Sequence, residues 1–165
     1  MATLPQVVRD EHKELIARIE LLRTVADSIG SAATEAFREG VGQAYIFLIH
    51  QLIPHAQAEE QVLYPTVGRL LRALEATDTM SRDHLEVIRL HLFYAPLSES
   101  GEQALRRVLY GLYAIIKLHL AKEEEIYLPI LEAQLPAEEV GRLVEAMERT
   151  VTEAKSTLRM IDPRE

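Results

Sequence analysis

The chain of 165 residues is 48% hydrophobic, carries a formal net charge of −8 and contains no cysteine. This length suits one hydrophobic core, so we expect a single domain over residues 1–165. The acidic balance argues against binding to nucleic acid or to an anionic membrane surface, and the lack of thiols excludes disulfides and thiolate metal sites. Charged residues recur near the start of the chain and no apolar stretch is long enough to span a bilayer, so we expect a cytoplasmic protein.

The start of the chain predicts a long helix. Apolar residues recur at helical spacing from Val8 onward, whereas no convincing strand alternation is present anywhere. Thr3 and Gln6 have the spacing of a capping box, which places the first helix at about 5–29. Gly30 is predicted to end it.

The second predicted helix follows Ser31, a good capping residue, and runs to Pro65 with a helical tail that reaches about Ala76. Pro54 falls inside this helix. Because proline has no N–H and its ring clashes with the carbonyl four residues earlier, we expect a kink there.

The second half of the chain predicts three further helices. The boundary residues are Asp78 and Pro96 for the third helix, the capping box Ser100 and Gln103 for the start of the fourth, and Ala137 to about Arg159 for the fifth. The predicted fold class is all-α. Four long helices with short connections favour an up-down-up-down antiparallel four-helix bundle at about 5–130, with an additional C-terminal helix at about 136–159.

Six polar side chains interrupt the apolar stripes of the four long helices. They are His12, His55, Glu59, His84, His119 and Glu123. The second and fourth helices each place a glutamate four residues after a histidine, so both side chains share one inward face. A buried unpaired carboxylate costs on the order of several kcal/mol, and the inward stripes offer no Lys or Arg beside it. A metal cation between these groups is one solution, and a metal-free polar network in the core is the alternative.

The histidine–glutamate pairs belong to a phrase that occurs twice, as HAQAEEQVLYP at 55–65 and as HLAKEEEIYLP at 119–129. In an antiparallel bundle, early residues of the first and third helices share a level with late residues of the second and fourth. All four histidines are therefore expected in the same third of the bundle. Two half-sites with the glutamates between them would hold two metal ions, and imidazole with carboxylate suits iron or manganese better than structural zinc.

The order H…HxxxE…H…HxxxE resembles the hemerythrin-like (HHE cation-binding) family over roughly residues 8–130. The resemblance implies a four-helix bundle with two non-haem iron ions joined by an oxo or hydroxo bridge. It implies that the terminal ligands are His12, His55, His84 and His119, and that Glu59 and Glu123 bridge the two irons.

One position departs from the oxygen-carrying hemerythrins, which have a second histidine four residues after the third-helix ligand. Ile88 stands there. One iron would therefore have a coordination position that is open, filled by water, or filled by Tyr127, four residues after Glu123. This favours reaction with small oxidants, foremost catalase-like breakdown of H2O2 in oxidative-stress defence. The alternative is binding or sensing of O2, NO or iron without turnover.

Other polar groups near the repeated phrase are expected to have structural roles. Tyr64 and Tyr127 are predicted to close the bottom of the bundle. Glu60, Glu124 and Glu125 are predicted to form a solvated acidic face, with contacts to the ligand histidines as the alternative. A ferritin-like oxidase is set aside, because no glutamate stands three residues before any of the four histidines.

Overall fold

The computed structural model describes residues 3–31, 34–91 and 99–161. These residues form helices joined by short turns. The helices are α1 (Leu4–Ser28), α2 (34–71), α3 (Asp78–His91), α4 (99–134) and α5 (Ala137–Ile161). α1 packs against α2 and α4, α3 packs against α4, and α5 packs against α1 and α2. The predicted all-α bundle with an additional C-terminal helix is confirmed.

The boundaries of α1 follow from the residues that were predicted to set them. The Thr3 hydroxyl accepts a hydrogen bond from the backbone N–H of Gln6 at 3.3 Å, which satisfies one of the free donors of the first turn. The chain leaves the helix at Ile29, and Gly30 follows with a φ of 82°. Glycine adopts this left-handed conformation without the clash that a Cβ would cause.

Both long helices that carry the repeated phrase contain π turns. α2 consists of Thr34–Phe47, the π turn Leu48–Leu52, Ile53–Ala58, the π turn Glu59–Leu63 and Tyr64–Leu71. α4 consists of Glu99–Lys122, the π turn Glu123–Tyr127 and Leu128–Gln134.

Each π turn ends two residues before a proline, namely Pro54, Pro65 or Pro129. Proline removes one helical hydrogen bond and crowds the preceding turn, and a wider turn lets the helix continue past it. At Pro54, where a kink was predicted, the chain remains helical, because the π turn Leu48–Leu52 is followed directly by the α-helical turn Ile53–Ala58.

The connection from α2 to α3 is tighter than predicted. The α-helix ends at Leu71, Arg72 takes a left-handed conformation with a φ of 54°, and the short 3-10 helix Leu74–Thr77 leads into α3. The predicted helical tail to Ala76 is therefore wrong beyond Leu71, because a left-handed turn and a 3-10 helix replace the α-helix there. The predicted start of α3 at Asp78 is confirmed.

Two other predicted boundaries have different outcomes. Pro96, the predicted end of the third helix, lies outside the described residues. α4 begins at Glu99, so Ser100 lies inside its first turn and does not precede it.

The core consists of two apolar clusters along the bundle, with the predicted polar residues between them. One cluster contains Leu15, Leu52, Val87, Ile116 and Leu120, and the other contains Val8, Ala58, Met80, Leu128 and Met147 of α5. On every helix of the bundle, the inward histidine falls between a residue of one cluster and a residue of the other. None of the described helices is long and apolar enough to cross a membrane.

Candidate metal centre

The six residues predicted as ligands converge in one buried layer of the bundle. Their exposed fractions are 1% for His12, 5% for His55, 0% for Glu59, 8% for His84, 5% for His119 and 0% for Glu123. They form two groups of potential metal ligands, His12, His55, Glu59 and Glu123 in one and Glu59, His84 and His119 in the other. Helical spacing thus brought together the residues that the sequence singled out.

The α1–α2 subsite holds His12 and His55. Nε2 of His55 lies 2.9 Å from Oε1 of Glu59. Nε2 of His12 lies 3.7 Å from the same oxygen and 3.4 Å from Oε2 of Glu123.

The α3–α4 subsite holds His84 and His119, whose Nε2 atoms lie 3.0 Å apart. Oε2 of Glu59 lies 3.2 Å from Nε2 of His84 and 3.9 Å from Nε2 of His119. Oε1 of Glu123 lies 3.6 Å from Nε2 of His119. Each glutamate therefore directs one oxygen to each subsite.

Several of these buried atoms have no hydrogen-bond partner. They are Nε2 of His12, Nε2 of His55, both carboxylate oxygens of Glu59 and Oε2 of Glu123. A buried polar atom without a partner costs about 1–3 kcal/mol, and more if the group is charged. Electron pairs of imidazole and carboxylate that face one another without protons between them form a donor set for a cation such as iron or manganese.

The outer nitrogen of every site histidine is bound to a carboxylate of a neighbouring helix. The Nδ1 contacts are His12 with Glu124 at 2.8 Å, His55 with Glu11 at 2.9 Å, His84 with Glu60 at 2.8 Å and His119 with Asp83 at 3.3 Å. An ionised carboxylate can only accept, so each Nδ1 carries a proton, and an imidazole that gives up its second proton presents the Nε2 lone pair to the interior.

These contacts correct the expectation of a solvated acidic face. Glu60 and Glu124 bind site histidines, as the alternative interpretation held, whereas Glu125 is exposed. Glu11 and Asp83 were missed, although each directly precedes a site histidine in the sequence.

Tyr64 belongs to the centre and Tyr127 does not. The Tyr64 hydroxyl donates to Oε1 of Glu123 at 2.8 Å and lies 3.1 Å from Nε2 of His119. The Tyr127 hydroxyl donates to the carbonyl of Ala76 at 3.0 Å. The expectation that Tyr64 closes the bottom of the bundle is therefore wrong, and so is the suggestion that Tyr127 fills the position opposite Ile88.

The π turns explain why Tyr64 faces the centre and Tyr127 does not. In an α-helix residue i+4 lies over residue i, whereas in a π turn residue i+5 does. The N–H of Tyr64 donates to the carbonyl of Glu59, and the N–H of Leu128 donates to that of Glu123. Tyr64 therefore faces inward in the first copy of the phrase. In the second copy apolar Leu128 has that place, and Tyr127 points aside.

The carboxylates give the layer an electrostatic preference for positive charge. Burial opposes the charge on His12, but the nearby carboxylates of Glu123 and Glu59 outweigh it and raise its pKa to about 9. Burial likewise opposes ionisation of Glu59, but His55 and the neighbouring imidazoles hold the pKa of that carboxyl well below its usual value. Burial and the nearby carboxylates Glu59 and Glu123 raise the pKa of Tyr64, which keeps it a neutral phenol. Protons and metal cations compete for this site.

A cavity of about 60 Å³ reaches the centre between α2, α3 and α4. Its apolar walls include Leu52, Ile53, Val87, Ile88, Ile116 and Leu120, and its inner end reaches His55, His84 and His119. Ile88, which stands where oxygen carriers have a histidine, is 39% exposed. The cavity has room for a molecule of a few atoms beside the histidines.

Two histidines are not part of the ligand groups. His50 lies in the π turn Leu48–Leu52 and belongs to neither ligand group. His91 ends α3, and its side chain lies outside the described residues.

A four-helix bundle with a buried layer of four histidines and two glutamates defines a metal-binding bundle of the hemerythrin class. The family described as Hemerythrin HHE cation binding domain matches residues 3–131, and the chain belongs to this family. No curated protein and no solved structure gives a significant match to the chain. α5 lies beyond the matched residues, so the fifth helix is an addition to the family's bundle.

Proposed function

We propose that the protein binds two iron ions joined by an oxo or hydroxo bridge. His12 and His55 are terminal ligands of one iron, His84 and His119 are terminal ligands of the other, and Glu59 and Glu123 bridge them. The proposal is supported by the paired orientation of the two carboxylates and by the buried ligand atoms that lack hydrogen-bond partners. It is also supported by membership of a cation-binding family.

We further propose that the loaded centre reacts with small oxidants, above all by catalase-like breakdown of H2O2 to water and O2 in oxidative-stress defence. The observation that carries this proposal is the apolar cavity at His84 and His119, with Ile88 in its wall. Two bound irons supply the exchange of two electrons that peroxide disproportionation needs, without an external donor.

The protein's own residues select and hold the substrate. The apolar side chains of the cavity exclude large or charged molecules and admit small neutral ones. The Tyr64 hydroxyl donates a hydrogen bond to Oε1 of Glu123, beside the α3–α4 subsite. From this position it can turn to donate a hydrogen bond to a bound ligand in place of Glu123.

The second candidate is a protein that binds or senses O2, NO or iron without turnover. The apolar cavity walls favour it, because O2 and NO are small and apolar. The buried carboxylates favour it as well, because a cation that binds only the folded chain stabilises that fold.

An oxygen-electrode assay of the iron-loaded protein with H2O2 separates the two candidates. We expect O2 release from the wild type. Ile88→His should slow it at matched iron content, because the new imidazole fills the open position. Leu85→His is the matched control: it adds a histidine to the same helix at a side chain that is 59% exposed, and should leave the rate unchanged. A wild type that releases no O2 from peroxide yet binds O2 reversibly is a carrier or sensor.

We also propose that residues 1–165 form a single domain. Met147 of α5 packs in the same apolar cluster as Leu4 of α1 and Tyr64 of α2, which supports this proposal. The cytoplasmic location stays a prediction from the sequence.

A further inference from the structure

Four carboxylates outside the ligand set connect the helices of the bundle in a closed ring. Glu11 of α1 binds His55 of α2, Glu60 of α2 binds His84 of α3, Asp83 of α3 binds His119 of α4, and Glu124 of α4 binds His12 of α1. Each helix thus supplies one carboxylate to the histidine of the next helix, and the last helix returns to the first. We call these four carboxylates the outer ring.

The outer ring has a simple origin in the sequence. On α1 and α3 the acid directly precedes the site histidine, as Glu11–His12 and Asp83–His84. On α2 and α4 it directly follows the inward glutamate, as Glu59–Glu60 and Glu123–Glu124. Neighbouring helical positions differ by about 100°, so an acid beside an inward residue lies at the edge of the interface and can reach the next helix.

Further side chains hold the ring members in place. Arg9 pairs with Glu124 at 3.1 Å, and Lys122 pairs with Asp83. The Ser81 hydroxyl donates to Glu60 at 2.8 Å. Glu11 forms no ion pair with a Lys or Arg among the described residues, and it lines a polar groove together with Glu14 and Lys155 of α5. The ring carboxylates are between 20% and 38% exposed, whereas the histidines behind them are buried.

We propose that Glu11, Glu60, Asp83 and Glu124 are positioning residues that fix all four imidazoles for the metals and shift the centre toward trivalent iron. The inference rests on the proposed di-iron function. Each carboxylate holds the proton on Nδ1 and keeps the Nε2 lone pair directed inward. Negative charge at Nδ1 also makes the imidazole a better electron donor, which favours the more highly charged ion.

The test compares ring variants with a matched exposed acid. Glu11→Gln and Glu60→Gln keep an oxygen that can accept from Nδ1 but remove the charge. Glu14→Gln removes the same charge from the groove that Glu11 lines, at a side chain that binds none of the histidines that the structure describes. We measure the Fe(II) affinity by chelator competition, the midpoint potential of the iron pair, and the absorption spectrum of bound Co(II).

We expect roughly 10–100-fold weaker metal binding in each ring variant, as for other partners of metal-bound histidines, and wild-type binding in Glu14→Gln. The midpoint potential should rise in the ring variants alone, by about 59 mV for each tenfold loss of preference for Fe(III) over Fe(II). The Co(II) spectrum should change with the ring variants, because a neutral amide oxygen binds the Nδ1 proton less strongly than a carboxylate and leaves the imidazole a weaker electron donor.

Ser81→Ala keeps every ligand and every ring charge and only frees the Glu60 carboxylate, so it serves where a charge variant fails to fold. We expect a smaller loss of affinity in the same direction. Ring variants that match Glu14→Gln in affinity, potential and Co(II) spectrum would overturn the proposal. A wild type that binds Co(II) but not two irons would contradict the di-iron function instead, and the Co(II) measurements would still decide the role of the ring.

Discussion

The Nε2 atoms of His84 and His119 lie 3.0 Å apart, although Nδ1 of each imidazole is already bound to a carboxylate. A neutral imidazole that donates from Nδ1 has a lone pair on Nε2, so two lone pairs face each other inside the bundle. Only a shared proton or a cation makes this contact favourable. This contact therefore indicates that the buried layer of histidines and glutamates is arranged to hold positive charge.

The first prediction concerns the two inward glutamates. If both carboxylates bridge, Glu59→Ala and Glu123→Ala should each lower the iron content of both subsites together. Glu125→Ala is the control, because it removes an exposed acid two residues from Glu123. Iron is counted per chain and the subsites are distinguished by Mössbauer spectroscopy. Loss of one iron with the other unaffected would show that the carboxylate is a terminal ligand.

The second prediction concerns the tyrosine that the π turn places inside. Tyr64→Phe leaves a buried oxygen of Glu123 without its donor, so the free energy of unfolding should fall by about 1–3 kcal/mol in the metal-free protein. The azide adduct of the iron-loaded variant should also change its absorption spectrum. Tyr127→Phe is the control, since it loses only the bond to Ala76. An altered iron spectrum in Tyr127→Phe with none in Tyr64→Phe would contradict the assignment.

The third prediction concerns access through the apolar cavity. Ile88→Trp places a larger side chain in the cavity wall and should slow the association of azide and NO with the iron-loaded protein, at unchanged iron content. Leu85→Trp adds the same ring to an exposed position of α3 and should not. Stopped-flow absorption gives both rates, and equal rates in the two variants would mean that ligands enter elsewhere.

The fourth prediction concerns pH in the metal-free protein. The pKa of His12 is raised from 6.5 to about 9, so its contribution to stability is complete below pH 6.5 and is lost as the pH rises toward 9. The pKa of Glu59 is lowered from 4.5, so its contribution is complete above pH 4.5 and is lost as the pH falls further. Urea denaturation should therefore show the highest stability between pH 4.5 and 6.5.

Metal should reverse the alkaline part of this dependence, because a metal binds the deprotonated imidazole and its affinity rises as the competing protons leave. We expect the midpoint of thermal unfolding of the Co(II)-loaded protein to rise from pH 6.5 to 8. A metal-free protein that is more stable at pH 9 than at pH 5.5 would contradict the electrostatic account.

Helical periodicity was sufficient to predict the bundle and the six inward residues, because a polar side chain on an apolar stripe is visible in the sequence. The placement of Tyr64 was not predictable from a regular 3.6-residue repeat. The π turn Glu59–Leu63 shifts the register by one residue, so the fifth residue after the glutamate faces inward and the fourth does not. The proline six residues after each glutamate was the available signal, and Pro65 was interpreted only as the end of the main part of the second helix.

The outer ring shows a different limit. Glu11 and Asp83 stand next to histidines and at the edge of a helix face, where a sequence pattern cannot distinguish a solvated acid from one that reaches the neighbouring helix. Only the packing of α1 on α2 and of α3 on α4 decides between them. The duplicated Glu–Glu pairs at 59–60 and 123–124 gave a hint, because one acid of each pair already faced inward.

Metal analysis of the protein purified under air, combined with its optical spectrum, tests the central claim most directly. The di-iron account predicts about two irons per chain, a near-ultraviolet absorption band of an oxo-bridged iron pair and no haem spectrum. One tightly held zinc per chain that does not exchange with iron would contradict it.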